Sequence, residues 1–514
     1  IINLKEEIGD PIFKFGPNSF RLHGLPLPKE GVSGLVGKNG IGKTTALRIL
    51  TKQITPNFGD YSRKLAEKDV IEKLAMEQRR YWESAGKGAR LSYKIQNIEK
   101  VREAFDGTVK EMLERFGGPK IGDVVEKFAL QNILKRKISQ LSGGELQKAS
   151  IAAAWMKDAD IYFFDEPTNY LDIGERIRAA ILLKELGEKK KVMLVEHDMA
   201  ILDYSSDYVY LFWGDENVYG VVANVKSVRS GINEYLAGFL KDENIRFRDR
   251  EIMFSRYSQG EAKKAVKFRY KKMRKQYEGF GLSCDAGDIR EGEVVGVVGR
   301  NALGKSTFVK MLAGIEAPDE GEGGSFRVSY KPQYIKAEEG VGVEQLFASK
   351  SLNSAVFDEC RRHLGIQKLM LKQISELSVG ELQRVAITLA LSTDADVYLL
   401  DEPSAFLDIE QRLNLADLLR SVFTDSGKNA FIVDHDVVFI DAVASRLIVF
   451  DGEQSVLGHA SAPMDKHKGM NEFLKLMDIT MRRDRDSNRP RINKPGSVLD
   501  REQKEKNEYY YARS

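Results

Sequence analysis

Short, unbroken apolar runs recur along this chain, and each stops at a glycine loop or a charged pair. Positions 32–36 (VSGLV) run into GKNGIGKT at 37–44, and 293–298 (EVVGVV) run into GRNALGKS at 299–306. Runs at 161–164 (IYFF) and 397–400 (VYLL) end on the pairs Asp165, Glu166 and Asp401, Glu402. Those at 192–195 (VMLV) and 430–433 (AFIV) carry His197 and His435 just past their ends. A strand this apolar is buried on both faces, and the carboxyl ends of such parallel strands are where ligands sit. After LSGGELQ at 141–147 and LSVGELQ at 377–383 the apolar positions take helical spacing, so each string opens a helix. The pattern predicts an α/β fold, written twice.

The second copy follows the first closely. Gln333, Leu377, Asp401 and His435 restate Gln96, Leu141, Asp165 and His197 at a nearly constant interval, whereas the two glycine loops stand further apart. The first copy therefore carries about 25 additional residues between its loop and Gln96. The surplus falls within 57–90, where Val70, Ile71, Leu74, Tyr81 and Trp82 recur at helical spacing and Gly86 and Gly88 close the segment. This predicts a small helical insertion projecting from the first domain.

The chain has 514 residues, enough for about three domains on a prior of ~150 residues each. With 42% apolar and 30% charged residues it reads as soluble and globular. No apolar run reaches the ~18 to 20 residues of a membrane span, and no signal peptide is visible. The membrane part of a transporter is thus not encoded here. A net charge of +3 is too small to imply a nucleic-acid partner, so any such sign must be local. The basic stretches at 246–250 and 263–275 include Phe268 and Tyr270. Their cations could hold phosphates and their aromatics could stack on bases, although an exposed amphipathic helix shows the same pattern. Two isolated cysteines, Cys284 and Cys360, form neither a disulfide framework nor a metal cluster and point to a reducing cytosol.

Both glycine loops fit G-x-x-x-x-G-K-[ST], whose backbone N–H groups cradle phosphates at a helix N-terminus. Gly37, Asn39, Gly40, Gly42 and Thr45 are the expected phosphate-binding set of the first copy; Gly299, Asn301, Gly304 and Thr307 are that of the second. Lys43 and Lys305 would reach the β- and γ-phosphates, and Thr44 and Ser306 would ligate Mg²⁺. Asp165 and Asp401 suit the Mg²⁺ shell, while Glu166 and Glu402 would orient or deprotonate the attacking water. Repetition at one interval makes His197 and His435 γ-phosphate contacts, whereas His23, His363, His459 and His467 read as structural. The Ser-Gly-Gly turn of Ser142, Gly143 and Gly144, matched by Ser378 and Gly380, opens a helix and offers a second anion grip.

On these motifs the chain resembles the ATP-binding-cassette superfamily, in which the LSGGE signature follows a glutamine loop and precedes Asp-Glu. The resemblance implies two tandem P-loop cassettes facing head to tail. ATP is then sandwiched between the phosphate loop of one and the signature of the other, Glu145 and Glu381 included. It places Gln96 and Gln333 with the Mg²⁺ ligands, and Leu171, Asp172, Leu407 and Asp408 at the dimer seam. More specific strings are SVRSGINEYLAGFL at 227–240, ENIRFR at 243–248, GMNEFL at 469–474, TMRRD at 480–484 and RPRINK at 489–494. With DEPTNYLD at 165–172, DEPSAFLD at 401–408 and the helical insertion, they are similar to the hinge-bearing ribosome-recycling E subfamily, the RNase L inhibitor family, in an archaeal-like form. The implied layout is a first cassette at 1–222, a hinge at 223–275, a second cassette at 276–460 and a C-terminal hinge at 461–514.

That family implies a cytoplasmic ATPase that splits ribosomes after termination or rescue by closing its cassettes on ATP. Its partners would be the small subunit and ribosomal RNA, a release factor or its surveillance relative, and initiation factors. The alternatives are another ribosome-bound twin-cassette translation factor, expected to carry a long charged linker, and the ATPase subunit of a transporter. The family also has an N-terminal domain holding iron-sulfur clusters. This sequence opens at Ile1 about where that domain would end, which favours truncation, so clusters are expected only if that domain exists.

Two positions depart from the pattern. Ala302 stands where the first loop has Gly40, and Val379 where the first signature has Gly143. If Ala302 requires a positive φ, its Cβ costs roughly 1 to 2 kcal/mol. A β-branched Val379 in such a conformation would be worse. In a head-to-tail pair the two changes fall on different ATP sites, which predicts unequal sites.

Overall fold

The computed structural model describes residues 9–116, 121–254, 265–323, 326–332 and 340–510, without the side chains of 424–426. The chain divides into two compact units, Ile1–Met253 and Phe254–Ser514. In the first, the strand Gly31–Val36 lies between Lys191–Val195 and Tyr208–Asp215, parallel to both. Ile161–Asp165 and then Leu91–Lys94 extend the parallel sheet on one side. On the other side Tyr208–Asp215 turns back into Tyr219–Val222, which pairs with Arg21–His23 and, through it, with Phe13–Lys14.

The apolar runs explain why this sheet is central. Successive side chains of a strand point to opposite faces. Phe163, Met193 and Val195 enter the core beneath the phosphate-loop helix Lys43–Leu50, whereas Tyr162, Phe164, Val192 and Leu194 enter the core beneath the signature helix Gly143–Met156. Both faces are therefore dry, and each fully buried side chain of this size contributes about 1.5–3 kcal/mol. Strand neighbours are out of sequence order, so helical crossovers bring the carboxyl ends of 31–36, 161–165 and 191–195 to one edge.

The second unit repeats this order: Met273–Tyr277, Phe280–Cys284, Leu457–Ala460, Arg446–Glu453, Val294–Val298, Asn429–Val433, Val397–Asp401 and Val328–Lys331. Each sheet is followed by a similar appendage. In the first unit the strand Lys226–Ser227 leads to the helix Val228–Ala237 and the hairpin Phe239–Leu240 with Ile245–Arg246. In the second, Met464–Asp465 leads to the helix Lys466–Leu476 and the hairpin Met481–Arg483 with Pro490–Ile492.

Two expectations change. The insertion forms the helices Glu67–Lys73 and Met76–Lys87, but it packs back onto its domain rather than projecting from it. Val70, Leu74 and Trp82 are buried in the core of the phosphate-loop helix, and the Tyr81 hydroxyl donates to Leu50 O at 2.7 Å. The basic stretch after residue 264 is not a helix. It forms the strands Val266–Tyr270 and Met273–Tyr277, with Lys263 outside the described residues. Tyr270 is buried and Phe268 packs against the same core, so neither is presented for stacking on bases. Their alternation with charged residues is the two-residue period of an edge strand.

Candidate functional site

Each glycine loop closes on its own lysine. Gly40 (φ 67°) and Gly42 (φ 94°) take the left-handed turn that delivers the chain into the helix Lys43–Leu50. A Cβ on Gly42 would stand 2.7 Å from the Phe20 ring, so only glycine fits. Lys43 Nζ donates to Gly37 O (2.7 Å) and Lys38 O (2.6 Å), and Lys305 Nζ donates to Gly299 O (3.0 Å) and Arg300 O (2.6 Å). Thr44 and Thr45, like Ser306 and Thr307, sit half-buried in the first turn of the following helix. Asn39 and Asn301 lie within the loops, where Asn301 O accepts from the Gln454 amide at 3.1 Å.

The carboxylates gather at the ends of the neighbouring strands. Burial pushes Asp165 up to about 6, an effect Glu166 reinforces and the Thr44 hydroxyl and Lys94 oppose. Tyr93 Oη donates to its Oδ2 at 3.2 Å, while its Oδ1 is buried without a hydrogen-bond partner. Asp401 is likewise raised by burial, opposed by the Ser306 hydroxyl, and neither of its oxygens has a partner within hydrogen-bond limits. Buried, unsatisfied carboxylate oxygens beside a hydroxyl form a donor set suited to a hard cation.

Glu166 and Glu402 occupy the left-handed region, with φ of 47° and 49°. Their N–H groups donate to Val195 O and Val433 O, at the ends of the histidine-bearing strands. Glu166 Oε1 accepts from Gln96 Nε2 at 2.7 Å and lies 3.1 Å from His197 Nε2; its Oε2 accepts from Asn169 Nδ2 at 2.5 Å. Burial alone would raise Glu166, but His197, Lys43 and Gln96 together hold it down at about 2. Facing an ionised carboxylate, His197 Nε2 must carry the proton. In the second unit His435 Nε2 lies 3.4 Å from Glu402 Oε1. Gln333 lies outside the described residues.

Ser142 and Ser378 cap the signature helices Gly143–Met156 and Val379–Ser392. Glu145 and Glu381, grouped with the nucleotide-binding residues from sequence, turn their carboxylates inward. Glu145 Oε2 accepts from Ser142 N and Oγ at 2.8 Å, and its Oε1 accepts from Arg136 at 2.7 Å. Glu381 binds Ser378 N at 2.9 Å and Lys372 at 2.7 Å. They shape the turn and leave Gly143, Gly144 and Gly380 at its surface. Asp172 and Asp408 cap the next helices, Ile173–Gly187 and Ile409–Ser426.

Several residues beside these were not singled out by sequence. Lys94 Nζ donates to Asp165 O (3.1 Å) and Glu166 O (3.3 Å), and Gln147 Nε2 donates to Glu166 O (2.8 Å) and Pro167 O (2.6 Å). Lys331 and Gln383 repeat this on Asp401, Glu402 and Pro403. Glu196 accepts from Thr168 at 2.7 Å, as Asp434 does from Ser404 at 2.8 Å, so the strand end before each histidine holds the turn after each glutamate. The recurrence of Tyr-Lys, of the signature glutamine and of the acid before each histidine is the signal that could have flagged them.

The two departures separate. Ala302 does adopt a positive φ, 57°. A Cβ on Gly40 would meet Asn217 Oδ1 at 2.6 Å, but Ser455 occupies the corresponding place in the second unit. Ser455 N bonds Ala302 O at 2.9 Å, as Asn217 N bonds Gly40 O at 3.1 Å. The shorter side chain removes the obstructing atom. Val379 overturns the expectation of a strained backbone: it is the first residue of a capped helix, outside the positive-φ set, and the residue is 59% exposed. Its effect is confined to whatever approaches that turn.

A family model described as ABC transporter matches residues 23–169 and 285–405. An uncharacterized ABC transporter ATP-binding protein of Methanocaldococcus jannaschii is 46% identical over 99% of this chain and 86% of its own length. Translation initiation factor RLI1 of Saccharomyces cerevisiae is 39% identical over 99% of this chain and 87% of its own. The solved complex of archaeal ribosomal stalk protein aP1 and archaeal ribosome recycling factor aABCE1 matches with a TM-score of 0.91 at 45% identity, covering 98% of this chain and 99% of that one. A model of ribosome-bound archaeal Pelota and ABCE1 matches with a TM-score of 0.92 at 46% identity, covering 98% and 86%. Among the described residues no helix is long and apolar enough to cross a membrane.

Proposed function

The chain belongs to the ribosome-recycling E subfamily of ATP-binding-cassette proteins, the RNase L inhibitor family, and from that premise we propose that it drives ribosome splitting by ATP-dependent closure of its two cassettes. It is an ATPase. The observation that carries the reading is the duplicated site, with a phosphate loop, carboxylate turn and histidine strand intact in both units. Its partners are the ribosome, the ribosomal stalk protein and a Pelota-like factor, as for the related structures. Its place is the cytoplasm.

In this reading Lys43 and Lys305 exchange loop carbonyls for the β- and γ-phosphates, and the loop N–H groups of Gly40, Gly42 and Gly304 complete the cradle. Asp165 and Thr44, or Asp401 and Ser306, would hold Mg²⁺. Gln96 donates through Nε2, so its amide oxygen is the atom that would meet the cation. When bound, the cation neutralises charge on the β- and γ-phosphates. Glu166, already ionised, accepts a hydrogen bond from the attacking water, with His197 turning from Glu166 to the γ-phosphate. In the head-to-tail pairing that the family resemblance implies, Ser142 and Ser378 would cap the nucleotide held by the opposite loop.

Sedimenting ribosomes with the protein and a non-hydrolysable ATP analogue tests the function. Selective co-migration with the small subunit is expected. Absence of ribosome association in every nucleotide state would overturn the proposal.

A further inference from the structure

A buried lysine with no carboxylate within ion-pairing distance is costly and calls for a reason. Lys94 and Lys331 are 3% and 1% exposed, and among the described residues neither makes an ion pair. Each ammonium is spent on two successive backbone carbonyls, those of Asp165 and Glu166 or of Asp401 and Glu402. The second carbonyl of each pair also accepts from a glutamine on the signature helix, Gln147 or Gln383, whose amide reaches on to the proline carbonyl. In each of the two copies a lysine and a glutamine thus converge on the glutamate carbonyl, and the lysine bonds the carbonyls of both peptide units around that glutamate. Those units flank the only residue of the carboxylate turn that must hold a left-handed backbone while aiming a carboxylate, Glu166 or Glu402. Such a conformation persists only where its surroundings over-determine it.

We propose that Lys94 with Gln147, and Lys331 with Gln383, are positioning residues for ATP cleavage, clamping the carbonyls around each left-handed glutamate and tying it to the signature helix of its own cassette. The proposal rests on the reading of Glu166 and Glu402 given above. A misplacement near 1 Å at reacting groups costs about 10²-fold in rate.

The test uses the full chain with Glu402→Gln, so that turnover reports the first site. In that background Gln147→Leu and Lys94→Met are each expected to lower kcat about 10- to 100-fold, with KM for ATP changed by less than about twofold and Tm near that of the parent. Lys94→Arg, which keeps the charged donor, is expected to recover most of the loss. An unchanged kcat, a loss that falls on KM, or a loss that follows Tm with no recovery in Lys94→Arg would overturn the clamp. Should Lys94→Met fail to fold, Gln147→Leu and, in a Glu166→Gln background, Gln383→Leu decide the matter alone. Glu166→Gln separates the two failures. If it abolishes first-site turnover while the clamp variants are normal, only the clamp falls. If it leaves turnover intact, the role of the glutamate falls and takes the clamp with it.

Discussion

At the scale of single residues, the pair Ala302 and Ser455 shows how a departure from a motif is accommodated. Ala302 keeps the left-handed turn that Gly40 makes, and the cost of its Cβ is limited because Ser455 ends short of the place Asn217 fills. Ser455→Asn alone is therefore expected to destabilise the second unit, and Ala302→Gly to rescue it. A double-mutant cycle on unfolding free energies should give a coupling of about 0.5–3 kcal/mol. Additive effects would mean that the two positions do not meet. Ala302 draws notice when the sequence is read alone, as a departure from the first loop, but Ser455 does not. The motif leaves position 40 open, and which side chain forbids a Cβ there is set by a turn far along the chain. The same holds for Lys94 and Lys331. A lysine before a glutamine is unremarkable until the fold places two carbonyls over its ammonium.

At the scale of elements, the apolar runs were legible because burial on both faces erases alternation, and every one of them became a central parallel strand. The edges were not. Val266–Tyr270 and Met273–Tyr277 carry many charges, so their two-residue period resembled a solvated helix. The insertion was found from its helical spacing, but its docking on the phosphate-loop helix was not, since spacing names the buried face and not its partner. The C-terminal hairpin carries a prediction of its own. Asp484 is 4% exposed; burial would raise its pKa, but the Ser487 and Asp486 N–H groups and Arg489 hold it well below the ordinary carboxylate value. A carboxylate whose folded pKa is depressed stabilises the fold above its unfolded pKa and loses that contribution as pH falls through the folded value. Asp484→Asn should therefore be clearly less stable than the parent at pH 7, with the gap closing below about pH 4. Denaturant melts across that range measure it, and a gap independent of pH would contradict the assignment.

At the scale of the whole molecule, duplication is what turned weak motifs into a reading. One glycine loop is a common string, whereas two, each followed by the same turns in the same order, leave little room for chance. The copies are not interchangeable. Val379 exposes a branched side chain on the second signature turn where the first offers only glycine. In the head-to-tail pairing that the family resemblance implies, that turn would face the nucleotide of the first phosphate loop. Val379→Gly is expected to tighten ATP binding at the first site by up to about tenfold, roughly 1.4 kcal/mol, and to leave the second site unchanged. Equilibrium binding to single-site variants would show it. The loop that contains Ala302 has a corollary for anyone building chimeras. Grafting GRNALGKS alone into the first copy would place a methyl 2.6 Å from Asn217 Oδ1, so either that side chain shifts or the exchange carries the distant hairpin tip along with it.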